Sequence, residues 1–369
     1  MRIGIMTLWN TQHNYGAVLQ CFALQEYLRR NGHHPFLIRY KAKATGLNLT
    51  HISMKKIIKF VSRKVDEKRK SKIIDQPRYF SDFINEYISQ TEKDYIGYEE
   101  LKDTPPEADM YLVGSDQVWN FYNTPIELCR EHIHAFFLDF GNSDIKKISY
   151  AASWDKDCVT EEQLKEIKPL IDKFTYVSVR EKSGLELCQK CGINNAEWVP
   201  DPTLLLSAED YRRIYLDSKN HIRKIEEPYI MIYNVLTQKQ KFDISYIYDF
   251  AEENNLRVIY VCEDKTQDEY EKYYPTIPEW LYLMDNAKYV VTNSFHGTVF
   301  SLIFHKQFVN IPLTGSAAAT NNRVKSLFEM FKTEGRYVVD HDLAILDKQY
   351  TTDFQIDYNN FFRIVEMKK

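Results

Sequence analysis

Short apolar runs alternate with helical segments along most of this chain, and that alternation restricts its fold more than any other feature. The first unit combines an apolar run at residues 2–8, a helical segment with one apolar face from Ala17 to Leu28, and a second run at 36–40. Asn31 and Gly32 follow the helical segment and are typical of a helix C-terminus. Connections of this length are too long for hairpins, so the pattern predicts parallel strands covered by helices.

The same alternation continues as far as residue 304, in two series of elements. The further predicted strands lie at 110–113, 148–152, 176–179 and 197–199, and then at 229–233, 257–262 and 288–292. The further predicted helices lie at 160–173, 240–254, 279–286 and 297–304. A turn signal at Pro200-Asp201-Pro202 separates the two series, and 369 residues suffice for two domains. The predicted fold class is α/β, with two Rossmann-like parallel-sheet domains, 1–200 and 201–369, facing a cleft.

Composition and charge argue against several classes of protein. Lys and Arg number 48 against 52 Asp and Glu, a net charge of −4, so we expect no nucleic-acid partner. No stretch approaches the roughly 18–20 apolar residues of a membrane-spanning helix, and the apolar N-terminus is too short for a signal peptide. The six cysteines lie far apart in a chain that needs no disulfides. We therefore expect reduced thiols and a cytoplasmic protein.

The familiar motifs for cofactors and metals are missing from the sequence. No G-x-G-x-x-G follows the first strand, and no P-loop, nucleophile elbow or H-E-x-x-H motif occurs anywhere. We therefore expect neither a bound cofactor nor a metal ion, and dinucleotide oxidoreductases and P-loop NTPases become poor candidates.

A helical, basic insertion interrupts the first series at about residues 41–107. Its segment Lys55–Lys72 carries nine Lys or Arg and two Asp or Glu beside an apolar helical stripe. In one interpretation this basic helix makes peripheral contact with the inner face of an anionic membrane. In the other, which we prefer, the helix packs on the domain and its basic face is solvated.

The strongest local signal for a functional site is the segment that follows the predicted strand at 288–292. Small polar residues lead into a helix, so the N–H groups of Gly297 and Thr298 and the helix dipole could hold a phosphate or carboxylate. The dipole also favours a neutral imidazole at His296, which can exchange protons. The alternative is that Asn293 or Ser294 only caps the helix and that His296 bonds locally.

Two other polar segments also follow predicted strands. Arg180 closes the strand at 176–179, so its guanidinium could bind a carboxylate or phosphate in the cleft, or form an ordinary surface ion pair. The segment 114–120 follows the strand at 110–113 and contains Trp119 among Ser, Asp, Gln and Asn. Such an aromatic side chain suits stacking on a sugar, although ordinary packing is an equal alternative.

Together these segments resemble the polysaccharide pyruvyl transferase family. The resemblance rests on Asn14–Ala17 (NYGA), Gly114–Asn120 (GSDQVWN), Tyr150–Ser153 (YAAS), Val177–Glu181 (VSVRE), Pro200–Thr203 (PDPT) and Thr292–Thr298 (TNSFHGT). It implies a GT-B-like fold with an acceptor side in residues 1–200, a donor side in 201–369 and a returning C-terminal helix at 357–366. It further implies transfer of pyruvate from phosphoenolpyruvate to a sugar of a cell-surface polysaccharide or its precursor, as a ketal.

The resemblance also implies roles for particular residues. His296 would carry protons, Arg180 would bind phosphoenolpyruvate, and the turn Ser294–Thr298 would receive its phosphate. Substrate-binding residues are expected at Ser294, Gly297, Thr298, Asn14, Gly16, Ser115, Asp116, Gln117, Trp119, Ser153 and Lys306. Many family members have Arg-Leu-His where this chain has Ser294-Phe295-His296. Another cation must then bind the negatively charged donor. The candidates in the second half of the chain are Lys306, Arg323 and Arg336.

Other functions remain open from the sequence. A GT-B glycosyltransferase using a nucleotide sugar is the nearest alternative, although residues 312–325 hold no Asp or Glu to bind ribose hydroxyls. A non-catalytic glycan- or phosphosugar-binding protein is the other, since a motif is not an activity. The partners expected in the preferred interpretation are phosphoenolpyruvate and a glycan or lipid-linked sugar acceptor.

Overall fold

The computed structural model describes residues 1–11, 13–43, 78–121, 124–155, 158–218, 222–236, 243–262, 268, 270–339 and 342–349. The basic segment Lys55–Lys72 and the expected C-terminal helix at 357–366 lie outside these residues. Within these ranges, none of the helices has the length and hydropathy needed to cross a bilayer.

The first half of the chain is built on a parallel sheet of four strands. These are β1 (Arg2–Met6), β2 (His34–Leu37), β5 (Met110–Val113) and β6 (Lys146–Ser149), in the order β2-β1-β5-β6. Two shorter parallel pairs accompany it, β3 (Tyr40–Lys41) with β4 (Tyr95–Ile96) and β7 (Ser178–Val179) with β8 (Glu197–Trp198). Parallel strands are buried on both faces, and this explains why β1 and β5 read as continuous apolar runs.

The second half repeats this architecture in the same order. Its strands are β9 (Tyr229–Asn234), β10 (Arg257–Cys262), β11 (Tyr289–Thr292) and β12 (Gln307–Asn310), arranged β10-β9-β11-β12. All three pairings in this sheet are parallel. The sequence patterns did not predict β12, because only two apolar residues, Phe308 and Val309, lie between the polar side chains of Gln307 and Asn310.

Helices cover both sheets, and some of them begin at a residue whose side chain caps the helix. They are α1 (Tyr15–Arg30), α2 (Phe80–Tyr87), α3 (Tyr98–Asp103), α4 (Ile126–Phe136), α5 (Glu161–Ile171), α6 (Ser183–Lys190), α7 (Ala208–Leu216), α8 (Ser245–Glu253), α9 (Ile277–Asn286), α10 (Phe295–Ile303) and α11 (Asn321–Phe331). Asn14 caps α1 by accepting a hydrogen bond from the Ala17 N–H. Thr160 and Thr276 open α5 and α9 with capping boxes. The segments Pro202–Leu205, Gly315–Thr320, Glu334–Arg336 and Ala344–Asp347 are 3₁₀ helices.

The two halves are joined through α1, whose first residue packs into the second half. The Tyr15 ring stacks on Trp280 of α9 with centroids 5.1 Å apart, and its hydroxyl donates to the Pro275 carbonyl at 2.7 Å. Tyr15 and Phe22 belong to the same buried core as Trp280 and Phe300. This shared core holds the N-terminus of α1 close to the carboxyl end of the second sheet.

Candidate active site

A cavity lies where the carboxyl ends of the two sheets face each other. In each sheet the strand order reverses beside the first strand, between β1 and β5 and between β9 and β11, and ligands of open α/β sheets bind at such points. The cavity has a volume of about 190 Å³. It is lined by Leu8, His13, Asn14, Asp116, Gln117, Tyr233, Asn234, Val235, Leu236, Cys262, Ser294, Phe295, His296 and Arg323. Loops following β1, β5, β9 and β11 therefore supply most of its walls.

A buried cluster of charged groups centres on Asp201, which is 1% exposed. Asp201 accepts hydrogen bonds from Arg180 Nη1 at 2.7 Å and Ser115 Oγ at 2.9 Å. His296 Nε2 lies 3.6 Å from the same carboxylate oxygen. Burial alone would raise the pKa of Asp201, but His296 and Arg180 outweigh it and hold that pKa well below its usual range. Asp201 is therefore an anion that links Arg180 and Ser115 in the first half to His296 in the second.

Asp201 is a site residue that sequence reasoning missed. The segment Pro200-Asp201-Pro202 was interpreted only as a turn and as part of the family resemblance. Its carboxylate also accepts from the Thr203 N–H at 3.0 Å and the Thr203 hydroxyl at 2.7 Å, which begins a 3₁₀ helix and fixes the side chain. An acidic residue between two prolines was the available signal, because prolines on either side restrict the backbone that carries the carboxylate.

Arg180 lies behind the cavity wall rather than in it. Its guanidinium is bonded to Asp201, is 3.8 Å from Asp116 Oδ1 and lies over the Phe295 ring at 4.3 Å from the centroid. Burial works against the charge, but Asp201 and Asp116 raise the pKa of Arg180 above its usual value. In the part of the chain that the structure describes, Arg180 is not among the residues lining the cavity. The contact that the structure gives this guanidinium is with Asp201, and direct binding of a donor by Arg180 stays a prediction.

The loop that carries Asp116 is held by buried polar contacts. Ser153 donates its N–H to the Asp116 carbonyl at 3.1 Å, and its own carbonyl accepts from the Trp119 N–H at 3.1 Å. Ser153 and Ser115 are both fully buried, so these two expected substrate-binding residues support the loop instead of lining the cavity. Nearby, burial raises the pKa of the Glu181 carboxyl, which accepts from the Trp154 N–H at 2.6 Å.

The Ser294–Thr298 turn is a helix N-terminus, but its open donors differ from the predicted ones. The Gly297 N–H donates to Ser294 Oγ at 3.3 Å, and the Thr298 N–H donates to the Ser294 carbonyl at 3.0 Å. The predicted donors are therefore already used, Gly297 in the cap and Thr298 in the first backbone hydrogen bond of α10. Among the described residues nothing accepts from the N–H groups of Phe295 and His296, which are the first two of α10. Those two groups can bind an anion.

Gly297 and Thr298 serve packing in this arrangement. A Cβ at Gly297 would overlap the Thr292 hydroxyl, so glycine lets α10 lie against β11. Thr298 is fully buried and its hydroxyl donates to the Ser294 carbonyl at 3.0 Å while accepting from Asn310 at 2.9 Å. Gly297 and the Thr298 side chain therefore have a structural role in this arrangement.

Two further expected binding residues lie away from the cavity. Trp119 is 1% exposed and stacks on Phe137 with centroids 4.8 Å apart, so the ordinary packing alternative applies. Lys306 precedes β12 and donates to the backbone carbonyls of Asp285 and Ala287. It lies at the amino ends of the strands, one helix length of about 13 Å from His296. Neither side chain is placed to meet a ligand in the cavity.

Among the residues that the structure describes, Arg323 is the arginine that lines the cavity. It lies on α11, its Nε is 2.9 Å from Asp155 Oδ1, and its guanidinium is 5.8 Å from the centre of the Phe295 ring. Arg336, another cation offered by the sequence, donates instead to the carbonyls of Phe308 and Ile345. No local pattern distinguished these arginines, because the difference arises from where α11 packs.

Gly16 brings the two halves into contact at the catalytic candidate. A Cβ at Gly16 would lie well inside van der Waals contact with Nδ1 and Cγ of His296. Gly16, which was expected to bind substrate, allows a close approach: the absence of a side chain lets α1 touch the imidazole ring. Neighbouring Asn14 caps the helix and lines the cavity.

Gly16→Ala should lower both stability and any activity that uses His296. Overpacking of this kind typically costs about 1–3 kcal/mol, and here the ring must move to make room. Urea denaturation measures the first effect, with Gly335→Ala as a control because the nearest atom to its added Cβ would be 4.0 Å away. The double variant Gly16→Ala/His296→Ala should recover stability, since removing the ring removes the overlap. Additive losses in the double variant would contradict the contact.

The family model for polysaccharide pyruvyl transferase matches residues 14–314, more than half of the chain. The chain belongs to the polysaccharide pyruvyl transferase family. It is thereby a member of a family of transferases, and the match contains Asp116, Arg180, Asp201 and His296 but ends before Arg323. No curated protein matches the chain by sequence.

Solved structures with a similar fold include sugar-nucleotide epimerases. UDP-GlcNAc 2-epimerase from Methanocaldococcus jannaschii has a TM-score of 0.53 at 11% identity, with 100% of both chains covered. UDP-GlcNAc 2-epimerase from Neisseria meningitidis has a TM-score of 0.44 at 9% identity, with 99% of both chains covered. At this identity the first likeness shows the fold alone, which is GT-B-like.

Among the described residues, no three His, Cys, Asp or Glu side chains are grouped to hold a metal ion.

Proposed function

We propose that this pyruvyl transferase family member moves pyruvate from phosphoenolpyruvate to hydroxyl groups of a sugar in a cell-surface polysaccharide or its precursor, forming a ketal. The observation that carries the proposal is the position of His296. It borders the cavity at the N-terminus of α10 and is backed by the buried carboxylate of Asp201. A glycan or a lipid-linked sugar is the proposed acceptor, and no cofactor is required for this chemistry.

Phosphoenolpyruvate needs a site that binds anions. The N–H groups of Phe295 and His296 point from a helix N-terminus, where the helix dipole also favours negative charge. Arg323 adds a guanidinium that can bind a carboxylate or phosphate through two parallel hydrogen bonds. We propose that Arg323 supplies the charge that an arginine at the position of Ser294 supplies in many family members.

The reaction also needs a group that delivers a proton to the methylene carbon of the donor. An imidazole can do so near neutral pH, and a carboxylate beside it stabilises the imidazolium form. Asp201 fits this role, because its carboxylate lies 3.6 Å from His296 Nε2 and is out of contact with water. His296 is thus the proposed proton carrier and Asp201 its positioning residue.

The two walls of the cavity come from different halves of the chain. Asn14, Asp116 and Gln117 belong to the first half, whereas Ser294, His296 and Arg323 belong to the second. Because the anion-binding groups lie in the second wall, we propose that the donor binds there and that the acceptor approaches along the first. The proposal therefore puts the donor side in residues 201–369 and the acceptor side in residues 1–200.

Phosphoenolpyruvate should stabilise the folded protein against heat. A ligand at a hundred times its Kd adds about 2.7 kcal/mol to the free energy of unfolding, which a thermal-shift measurement detects. Arg323→Gln should weaken phosphoenolpyruvate binding by about 10- to 100-fold, the value of a hydrogen bond to a charged group. Arg213→Gln is the matched control, since Arg213 is an exposed arginine on α7.

The same measurement separates the proposal from its alternatives. A nucleotide sugar that raises the melting temperature when phosphoenolpyruvate does not would support a GT-B glycosyltransferase. Binding of phosphoenolpyruvate or of glycans without release of phosphate from any donor and acceptor pair would support a non-catalytic binding protein. Equal affinities of the wild-type and Arg323→Gln proteins would remove Arg323 from the donor site.

A further inference from the structure

Asp116 combines three features that together point to a role in the cavity. The residue is 5% exposed, its Oδ2 has no hydrogen-bond partner, and it lines the cavity. Its Oδ1, in contrast, accepts from the Gln117 N–H at 2.9 Å. Buried carboxylate oxygens without a partner are costly and uncommon in folded proteins, so this oxygen calls for an explanation.

The backbone of Asp116 is also held in a left-handed conformation. Its φ of +74° is unfavourable for a residue with a side chain, and such strain concentrates at functional sites. Neighbouring groups enforce it: the Asp116 carbonyl accepts from the N–H groups of Val118 at 2.7 Å and Ser153 at 3.1 Å. This conformation places the Asp116 carboxylate on the cavity wall that the first half of the chain supplies.

Asp116 and His296 are connected through the buried ion pair behind the cavity. Arg180 Nη2 lies 3.8 Å from Asp116 Oδ1, and its Nη1 is 2.7 Å from Asp201 Oδ2, which in turn lies 3.6 Å from His296. The two side chains thus border one cavity from opposite halves of the chain and share one supporting network. A reaction that must move two protons in opposite directions could use both.

We propose that Asp116 is the general base that removes the proton from the attacking sugar hydroxyl. This role rests on the proposed function, because it assigns the acceptor half of the same reaction. A carboxylate at this position also favours positive charge developing at the carbon under attack. Asp116 Oδ2 is the accepting atom, since Oδ1 is already bonded to the Gln117 N–H.

The protons and electrons balance with these two groups. The first hydroxyl oxygen forms a bond to C2 of phosphoenolpyruvate while the C2–C3 π electrons take a proton from the His296 imidazolium, and Asp116 takes the hydroxyl proton. The bond from C2 to the phosphate oxygen then breaks, the electron pair leaves with phosphate, and phosphate takes the proton from Asp116. The second hydroxyl oxygen bonds to C2 and returns its proton to His296. One hydroxyl proton ends in the methyl group and the other in hydrogen phosphate.

Asp116→Asn tests the base without disturbing the backbone. Asparagine tolerates positive φ at least as well as aspartate and can keep the bond from the Gln117 N–H, so the variant should fold. Release of phosphate from phosphoenolpyruvate, with methyl hexosides as acceptors, should fall by about 10²- to 10⁴-fold. The thermal shift with phosphoenolpyruvate should persist, because the donor groups lie in the other wall.

Asp116→Gly with added formate separates a base from a merely structural carboxylate. Glycine accepts the positive φ and leaves room for formate, which should restore part of the lost turnover. Asp155→Gly is the matched control: Asp155 is 3% exposed with a φ of +60°, but Gln117, Asn120 and Arg323 all contact its oxygens. Formate should not rescue that variant.

The experiments distinguish a failure of the general-base role of Asp116 from a failure of the proposed function. A wild-type protein that releases no phosphate from phosphoenolpyruvate would overturn the proposed function and this step with it. An active wild-type protein beside a folded Asp116→Asn variant of similar turnover would overturn the general base alone. Failure of formate to rescue an Asp116→Gly protein that still binds the donor would do the same, as would equal rescue of Asp155→Gly.

Discussion

His296→Ala should lower turnover by about 10²- to 10⁴-fold while the protein remains folded, because a general acid–base group of this kind is worth that much. Donor binding should be affected less than turnover, since the N–H groups of Phe295 and His296 are backbone groups and remain in the variant. The measurement is phosphate release from phosphoenolpyruvate with a sugar acceptor, together with donor affinity from the thermal shift.

The contacts around His296 determine how the His296→Ala substitution should affect stability. Removing the ring leaves Asp201 bonded to Arg180 and Ser115, so the buried cluster keeps its main ion pair. A His305→Ala protein is a suitable control, because His305 follows the far end of α10, away from the cavity. Turnover near the wild-type value in a folded His296→Ala protein would contradict the proposed proton carrier.

Asp201→Ala should produce the largest loss of stability among the predicted variants, about 3–5 kcal/mol in the free energy of unfolding. The reason is that it removes the 2.7 Å partner of Arg180, whose side chain is 1% exposed, and a buried charge without its partner is strongly destabilising. Urea denaturation of wild type and variant measures the difference. Glu329→Ala is the control, since its pair with Lys182 is about half exposed and should cost about 0–1 kcal/mol.

The pH dependence of stability should carry the signature of Asp201. Its folded pKa is held below the unfolded value of about 3.9, so its contribution is present above that pH and lost as the pH falls through and below it. Asp201→Asn removes the titrating group, and its free energy of unfolding should fall less steeply below about pH 4. Parallel curves for wild type and Asp201→Asn between pH 5 and pH 2 would show that the carboxylate is not stabilised by folding.

Sequence reasoning predicted the architecture where the signal is local. The strands Met110–Val113 and Arg257–Cys262 have the predicted bounds, because both consist mainly of apolar residues, as buried parallel strands do. The helix at 160–173 was also predicted, and in the structure it spans Glu161–Ile171 with its capping box at Thr160. The strand β12 was missed because two apolar residues carry too little pattern.

The candidate site was predicted in its location but not in its contacts. Strand-end segments at Asn14, Asp116 and Ser294 were expected in the cleft, and they line the cavity because the carboxyl ends of parallel strands share one edge. Lys306 was expected there too, but it follows α10 and lies at the opposite edge. Arg180 is bonded to Asp201, whereas Arg323 lines the cavity. The residue type and its spacing in the sequence cannot predict that difference.

What the sequence by itself determined is the α/β fold, the order of its parallel strands along the chain and the family to which the chain belongs, because each depends on neighbouring residues or on short motifs. The tertiary structure alone decided that Gly16 touches His296 and that Asp201 joins Arg180 to that imidazole. Those contacts join residues far apart in sequence. They exist because the stacking of Tyr15 on Trp280 holds the two halves together, and no local periodicity records how two sheets pack.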